Sequence, residues 1–192
     1  MKLPDELKPH FELLGSLQRL NSRFEECGVV IDDIAASVLG KARFTEDIDV
    51  LYLLSDRDVA RFLDAAQEEG IEPRIQEVEE FAKKNHILLL RHTLSKTKID
   101  VFLGVLPFEQ EVVQRSIVHE FEGKLRVRLP TPEDLIIMKA IASRPKDLED
   151  IRVLVEKYPK LDAARIEYWV KSLSQRLEAP SLWDQIKEIL SG

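Results

Sequence analysis

The sequence predicts an α+β fold in which a small mixed β-sheet is flanked by helices and followed by a helical C-terminal subdomain. Short apolar runs bounded by turn residues alternate with amphipathic stretches over residues 1–130, whereas residues 131–192 carry helical patterns. The 192 residues suffice for one buried core and leave little room for two full domains. We therefore expect a core over 1–130 and a helical subdomain over 131–192, packed together as a single unit.

The first half of the chain supplies most of the predicted sheet. Leucines recur at helical spacing between residues 5 and 26, which predicts an amphipathic helix that ends near Gly28. The β-branched run at 29–31 predicts a strand, a tight turn at Asp32–Asp33 comes next, and an Ala-rich helix over 34–39 stops at Gly40. The remaining elements are a strand over 47–54, a helix from an N-cap at Ser55 to Gly70, and central strands over 86–92 and 98–104.

The second half of the chain is mainly helical. A helix is expected around 108–117, and "EFEGKLRVRLP" at 120–130 predicts either a strand pair or one bent strand. Four helices follow, over 131–142, 145–157, 161–176 and 181–190, separated by prolines at 145, 159 and 180.

Charge and cysteine content exclude several classes of function. The 28 Lys and Arg against 35 Asp and Glu give a net charge of -7, so the whole molecule has no field that attracts nucleic acid or an anionic membrane. The single cysteine, Cys27, excludes an internal disulfide. No apolar run approaches 18 residues, and acids and prolines interrupt the N-terminus where a signal peptide needs an apolar stretch. We expect a soluble, cytoplasmic protein with no membrane partner.

Three aspartates lie in or beside two of the apolar strands. Asp47 and Asp49 are one residue apart, and because side chains alternate along a strand, both point to the same face. Asp100 occupies a corresponding place in "KIDVFLG". If the two strands are neighbours, three carboxylates converge at one end of the sheet, and such a group suits hard divalent cations that assist phosphoryl or nucleotidyl transfer.

The residues around these aspartates resemble a known family. "IAASVLGKARFTEDIDVLYLL" is similar to the core of the DNA polymerase β-like nucleotidyltransferase superfamily, in particular to the small bacterial and archaeal proteins related to AbiEii toxins. That family carries G-x-x-R-x-T-x-D-[IL]-D, and the matching residues here are Gly40, Arg43, Thr45, Asp47, Ile48 and Asp49. Downstream, Lys98-Ile99 before Asp100, Asp134 with Lys139, and "RPKDLED" from Arg144 to Asp150 resemble its other motifs. The resemblance covers about residues 28–155.

The resemblance implies an activity and a set of site residues. It implies transfer of an NMP from an NTP to a hydroxyl of RNA or protein, with Mg²⁺ or Mn²⁺ held by the three aspartates and a cognate antitoxin as a partner. Nucleotide binding would fall to Gly40, Arg43, Thr45 and Lys139, with Arg43 and Lys139 neutralising triphosphate oxygens. Accessory roles would fall to Lys98, Arg144, Lys146, Asp147 and Asp150, although the last three also suit the first turn of an ordinary helix.

The chain departs from the family pattern at one turn. Where the family has a Gly-Gly or Gly-Ser pair that lets backbone amides approach phosphates, this sequence has Asp32 and Asp33. A register that uses Ala35-Ala36 instead leaves Gly40 and Arg43 unexplained. Three alternatives remain: an active nucleotidyltransferase, a catalytically impaired relative that acts as a binding module, and a different metal site that supports phosphate-ester hydrolysis.

Overall fold

The computed structural model describes residues 1–55 and 57–191. Within these ranges the strands in chain order are β1 (Gly28–Ile31), β2 (Asp47–Tyr52), β3 (Ile71–Pro73), β4 (Ile87–His92), β5 (Lys98–Leu103), β6 (Ile117–Phe121) and β7 (Leu125–Leu129). The first five form one sheet in the order β1-β2-β5-β4-β3, and β6 and β7 form a hairpin. The β2–β5 pair is parallel, whereas β1–β2, β5–β4 and β4–β3 are antiparallel. The expected mixed sheet is confirmed.

Helices cover the sheet and form the C-terminal part of the chain. After a 3₁₀ helix at Asp5–His10, the α-helices are α1 (Phe11–Ser22), α2 (Asp32–Leu39), α3 (Val59–Glu68), α4 (Val78–Asn85), α5 (Pro107–Arg115), α6 (Pro132–Ala142), α7 (Pro145–Lys157), α8 (Ala163–Arg176) and α9 (Leu182–Ser191). Helix α6 contacts α2, α7, α8 and α9. The division into units at residue 130 remains a prediction. No helix of the described residues has the length and apolarity needed to span a bilayer.

The two faces of the sheet differ in burial. On β2 and β5 every second residue, Ile48, Val50, Ile99 and Val101 among them, is buried in the core. The intervening residues, including Asp47, Asp49 and Asp100, belong to the opposite and less buried face. One face of these two strands therefore packs in the core, and the other face is open to a ligand.

Several element boundaries differ from the sequence-based expectation. The helix expected over 5–26 is a 3₁₀ helix followed by α1, because Pro9 lacks an amide hydrogen and its ring disfavours a continuous α-helix. It ends at Ser22, and Glu25 and Glu26 adopt left-handed backbone conformations. The helix expected from Ser55 begins at Val59, and residue 56 of that prediction lies outside the described residues.

Two further differences concern residues near the predicted site. Asp32 and Asp33 do not form a separate turn but are the first residues of α2, where acidic side chains favour the positive end of the helix dipole. The sequence pattern predicts no element over 71–85, yet this segment contains β3 and α4. A three-residue strand that ends in proline, followed by a short charged helix, gives little periodic signal.

Candidate active site

The three aspartates named from the sequence lie on neighbouring strands. Asp47 and Asp49 are in β2, Asp100 is in β5, and the parallel register pairs Asp49 directly with Asp100. Because paired residues of adjacent strands point to the same face, all three side chains share the less buried face of the sheet. The structure therefore brings these aspartates to one region, as the strand alternation predicted.

The same face forms one wall of a cavity of about 590 Å³. Its acidic end is lined by Asp32, Asp47, Asp49 and Asp100. Its apolar end is lined by side chains from the sheet and from α5, α6 and α8, including Leu51, Phe102, Phe108, Leu135, Met138 and Leu173. The volume lies in the range of pockets that hold small organic ligands. The cavity combines an apolar wall with a concentration of carboxylates.

The carboxyl group of Asp49 lies among other negatively charged carboxylates. Burial raises the pKa of its carboxyl, and the charges of Asp32, Asp47, Asp100 and Asp33 raise it further, to about 7. Such a shift arises where like charges crowd a desolvated group. A cation placed among these carboxylates would stabilise the ionised form.

Thr45 and Arg74 hold two of the three aspartates. The hydroxyl of Thr45, itself buried, donates to a carboxylate oxygen of Asp47 at 3.1 Å, so Thr45 orients Asp47. Arg74, which follows β3, donates from Nη2 to Asp100 and forms an ion pair with it. Burial raises the pKa of Asp100, although the guanidinium of Arg74 opposes the shift.

The donor set fits a hard divalent cation in its chemistry and placement. Carboxylate oxygens are the ligands that Mg²⁺ and Mn²⁺ prefer, and three of them line one cavity. In residues 1–55 and 57–191, however, no three His, Cys, Asp or Glu side chains stand close enough to ligate one ion as they are oriented here. Asp100 is instead turned toward Arg74. Binding of one ion by all three aspartates would therefore need a change of side-chain orientation.

A second charged group, the ion network, lies beside the acidic end of the cavity. It comprises Asp32 and Asp33 of α2, Arg43 of the following loop, Lys139 of α6, Arg144 before α7, and Lys146, Asp147 and Asp150 of α7. Four cations thus face four carboxylates, in a network that joins α2 to α6 and α7. Arg144, Asp147 and Asp150 all come from "RPKDLED", so this motif packs against the predicted phosphate-binding turn.

Lys139 is at the centre of the ion network and is almost completely buried, with 1 % of its side chain exposed. Its Nζ lies 2.7 Å from Asp32 and from Asp150, 3.2 Å from Asp147 and 3.8 Å from Asp33. Burial lowers the pKa of Lys139, but hydrogen bonds and charges from Asp150 and Asp32 outweigh it, and the net direction is upward. Lys139 is therefore a charged lysine satisfied by carboxylates within the protein.

The two arginines of the network also have carboxylate partners. Arg43 makes a bidentate contact with Asp150 at 2.5 and 2.8 Å, and it reaches Asp33 at 2.5 Å. Arg144 binds Asp32 at 2.7 Å and caps α7 through Asp147. In this arrangement the aspartates of α2 accept hydrogen bonds from Arg43, Lys139 and Arg144, which the sequence predicts as nucleotide-binding or accessory residues.

Asp32 keeps a backbone conformation typical of glycine. Its φ is +47°, in the left-handed region, which aspartate tolerates better than most residues. This conformation favours the sequence register that aligns Asp32 with a family glycine over the one that uses Ala35-Ala36. Burial by itself raises the pKa of Asp32, but Lys139 and then Arg144 outweigh it and lower the pKa to about 2.

The other residues named from the sequence have distinct positions. Gly40 lies against α2 and α7, where an added Cβ would come within 2.9 Å of the Ala36 carbonyl oxygen and 3.4 Å of Val153. Lys98 pairs with Asp47 in the sheet register and is exposed. Asp134 is fully buried and binds Arg115 and Arg165, away from the ion network. The nucleotide contacts expected of Gly40, Thr45, Arg43 and Lys139 remain predictions.

Sequence reasoning missed two features of this region. Arg74 had no role predicted from the sequence. Its approach to Asp100 depends on the pairing of β3 with β4, and a three-residue strand gives no sequence pattern that predicts this pairing. Asp32 and Asp33 were predicted without partners, whereas most of their partners lie 107 to 113 positions further along the chain and Arg43 lies 10 positions from Asp33. The available signals were Lys139 and "RPKDLED", because the three cations in these motifs need carboxylate partners.

Comparison with known structures shows a nucleotidyltransferase fold. A crystal structure of an antigenic nucleotidyltransferase-like protein from Paracoccidioides brasiliensis has a TM-score of 0.53 and 19 % identity, covering 97 % of this chain and 94 % of the other. The solution structure of the antibiotic-resistance factor ANT(2'')-Ia has a TM-score of 0.57 and 14 % identity, covering 87 % and 94 %. No curated protein matches the sequence.

The sequence also matches a family model. Residues 36–188 match the family described as nucleotidyl transferase AbiEii toxin, type IV TA system. The chain therefore belongs to the AbiEii nucleotidyltransferase family of toxin–antitoxin systems, and the resemblance drawn from its motifs is confirmed.

Proposed function

We propose that this protein transfers an NMP from an NTP to a hydroxyl of RNA or protein, as the toxin of a toxin–antitoxin pair in the cytoplasm. The observation that carries the proposal is the convergence of Asp47, Asp49 and Asp100 on one cavity wall, in a member of the AbiEii family. In the transfer, the acceptor oxygen bonds to the α-phosphorus, the bond to the β-phosphate breaks, and pyrophosphate leaves. Family membership also supports a cognate antitoxin as the partner.

The proposal gives each aspartate a task that its surroundings allow. Asp47, oriented by Thr45, and the half-buried Asp49 would hold Mg²⁺ or Mn²⁺. A divalent ion held there supplies Lewis-acid stabilisation of the transferred phosphoryl group. Asp100, paired in register with Asp49, would complete the ligand set or take the proton of the acceptor hydroxyl.

The metal part of the proposal is tested by thermal stability. Mg²⁺ or Mn²⁺ should raise the melting temperature of the wild-type protein, because a ligand that binds only the folded state stabilises it. Asp49→Asn should lose most of this rise, whereas Asp64→Asn, an exposed aspartate of α3, should keep it. An equal response of all three proteins would place the metal elsewhere.

Transfer of label from each of four α-labelled NTPs to RNA and to protein identifies nucleotide and acceptor.

A second candidate function is that of a catalytically impaired relative that acts as a binding module. The observation in its favour is that the carboxylates of Asp32 and Asp33 occupy Arg43, Lys139, Arg144 and Lys146, the cations nearest the predicted phosphate site. With these pairs intact, the network is electrically balanced and offers little attraction for a triphosphate.

The double change Asp32→Gly, Asp33→Gly separates the two candidates. It leaves Lys139 with Asp147 and Asp150, gives the network two excess positive charges, and suits the left-handed backbone at position 32. NTP affinity measured by calorimetry with Mg²⁺ should rise by about tenfold or more. Transfer by the unmodified protein supports the enzyme. NTP binding by the variant alone, or by neither protein, supports the impaired relative that acts as a binding module.

A further inference from the structure

Arg74 reaches the proposed metal ligand Asp100 from across the sheet. The amide of Arg74 donates to the carbonyl of Leu89 at 2.9 Å, and Leu89 pairs with Asp100 in the β4–β5 register. Residue 74 is therefore two strands away from Asp100, roughly 9 to 10 Å at the usual strand spacing. The long arginine side chain bridges this distance and ends on an Oδ atom of Asp100.

The contact resembles a replaceable ion pair more than a fixed structural one. Within residues 1–55 and 57–191, the guanidinium of Arg74 donates one hydrogen bond, and its buried Nε has no partner. By contrast, Arg43 holds Asp150 through two parallel hydrogen bonds. Both side chains of the Arg74–Asp100 pair are partly exposed, 22 % and 29 %, so water can solvate them when they separate.

The charges of the three aspartates indicate that Arg74 takes the place of a bound cation. Asp47, Asp49 and Asp100 bring three carboxylates to one wall, and Arg74 places a positive charge on the carboxylate nearest the sheet edge at β3. Arg74 holds one of the two carboxylate oxygens of Asp100 and keeps this group turned toward itself. A cation bound by all three aspartates needs the same carboxylate, so the guanidinium and a metal ion compete for it.

We propose that Arg74 is an internal counter-ion of Asp100 that must release this carboxylate before a divalent metal can bind, and that it thereby sets the metal affinity of the site. This inference rests on the proposed metal role of Asp100. Arg74 acts through Asp100 and is a positioning residue. Its removal should tighten metal binding, since the pair no longer has to open and a repelling charge is gone.

The test is Mn²⁺ binding by calorimetry to the wild-type protein and to Arg74→Gln, without nucleotide. We expect Arg74→Gln to bind Mn²⁺ about fivefold more tightly or better, in view of the Coulomb energy between charges a few ångströms apart. Arg91→Gln is the matched control, because Arg91 of β4 pairs with Glu72 on the same sheet and carries the same charge. Arg91→Gln should leave the affinity within about twofold, since exposed ion pairs contribute little.

Asp100→Asn shows whether Arg74 acts through this aspartate. In the Asp100→Asn background, Arg74→Gln should no longer tighten Mn²⁺ binding. Weaker or unchanged binding by the single Arg74→Gln variant overturns the inference, and with wild-type binding intact it leaves the proposed function standing. If neither protein binds Mn²⁺, both the inference and the metal role of the aspartates fail. Binding by Arg74→Gln alone supports the inference in its strongest form.

Discussion

At the scale of single residues, Asp32 combines a backbone conformation typical of glycine with a charged side chain. Its φ of +47° belongs to the conformation that a glycine would adopt at this point of the family motif. The side chain then fills the space beyond the turn and binds Lys139 and Arg144. Asp32 thus combines a left-handed backbone with a charged side chain that pairs with two cations of the ion network.

The backbone contribution at position 32 can be isolated by comparing two variants. Asp32→Gly and Asp32→Ala both lose the ion pairs, but alanine also carries the cost of a left-handed conformation. We expect Asp32→Gly to be more stable than Asp32→Ala by about 1 kcal/mol in urea unfolding. At Asp33, the next residue of α2, the order should reverse, because alanine is favoured over glycine within a helix. A more stable alanine variant at both positions contradicts the assigned backbone.

At the scale of elements, the end of α2 at Gly40 leaves little room for a side chain. A Cβ there would stand 2.9 Å from the carbonyl oxygen of Ala36 in the last turn of α2, which cannot move as a flexible side chain can, and 3.4 Å from Val153 of α7. Lys157 and Tyr158 at the end of α7 also donate to the carbonyls of Gly40 and Leu39. The end of α2 is therefore closely packed at Gly40 and is joined to α7 by hydrogen bonds.

Gly40→Ala should lower the free energy of unfolding by about 1 to 3 kcal/mol, the usual cost of overpacking. Gly15→Ala provides the matched control, since an added Cβ in α1 meets only the end of the Arg19 side chain, at 3.5 Å. That variant should be stabilised by about 0.5 to 1 kcal/mol through helix propensity. Chemical denaturation of both variants measures the difference, and a tolerated Gly40→Ala would argue against the packed junction.

The elements also show how far sequence reasoning extends. Strands β2 and β5 were predictable because alternation and apolar runs are local, and the aspartates on them followed directly. The approach of Asp32 to Lys139 was not, because it depends on packing between residues 107 positions apart. The same holds for Arg74 and Asp100, whose contact requires the register of three strands. Local patterns located the aspartates, and tertiary packing decided their partners.

At the scale of the whole molecule, the ion network connects the sheet region to the C-terminal helices and makes stability depend on pH. The folded-state pKa of Asp32 is about 2, below its ordinary value of 3.8, and that of Asp147 is lowered as well: burial raises it, but Arg144 and Lys139 outweigh burial. A depressed carboxyl pKa contributes stability that is present above the ordinary value and is lost as the pH falls toward the folded value.

The free energy of unfolding should therefore fall as the pH is lowered from about 4 to about 2, with Asp32 alone accounting for about 2 kcal/mol. Denaturation at a series of pH values measures this profile. Asp32→Asn should flatten it over that interval, because the variant has no carboxyl group at position 32 to protonate. If the variant loses as much stability as the wild type between about pH 4 and about pH 2, the ion pairs of Asp32 do not contribute to the stability of the folded protein.

The order in which the chain is made adds a consequence of the ion network. Asp32 and Asp33 leave the ribosome more than 100 residues before Lys139, Arg144 and Lys146, the cations that neutralise them together with Arg43. Until α6 and α7 exist, the first turn of α2 holds carboxylates with few counter-charges beside the already acidic Asp47 and Asp49. Assembly of the candidate active site thus waits for the last third of the polypeptide. An unfinished chain therefore lacks three of the four cations that hold Asp32 and Asp33 in place in the finished protein.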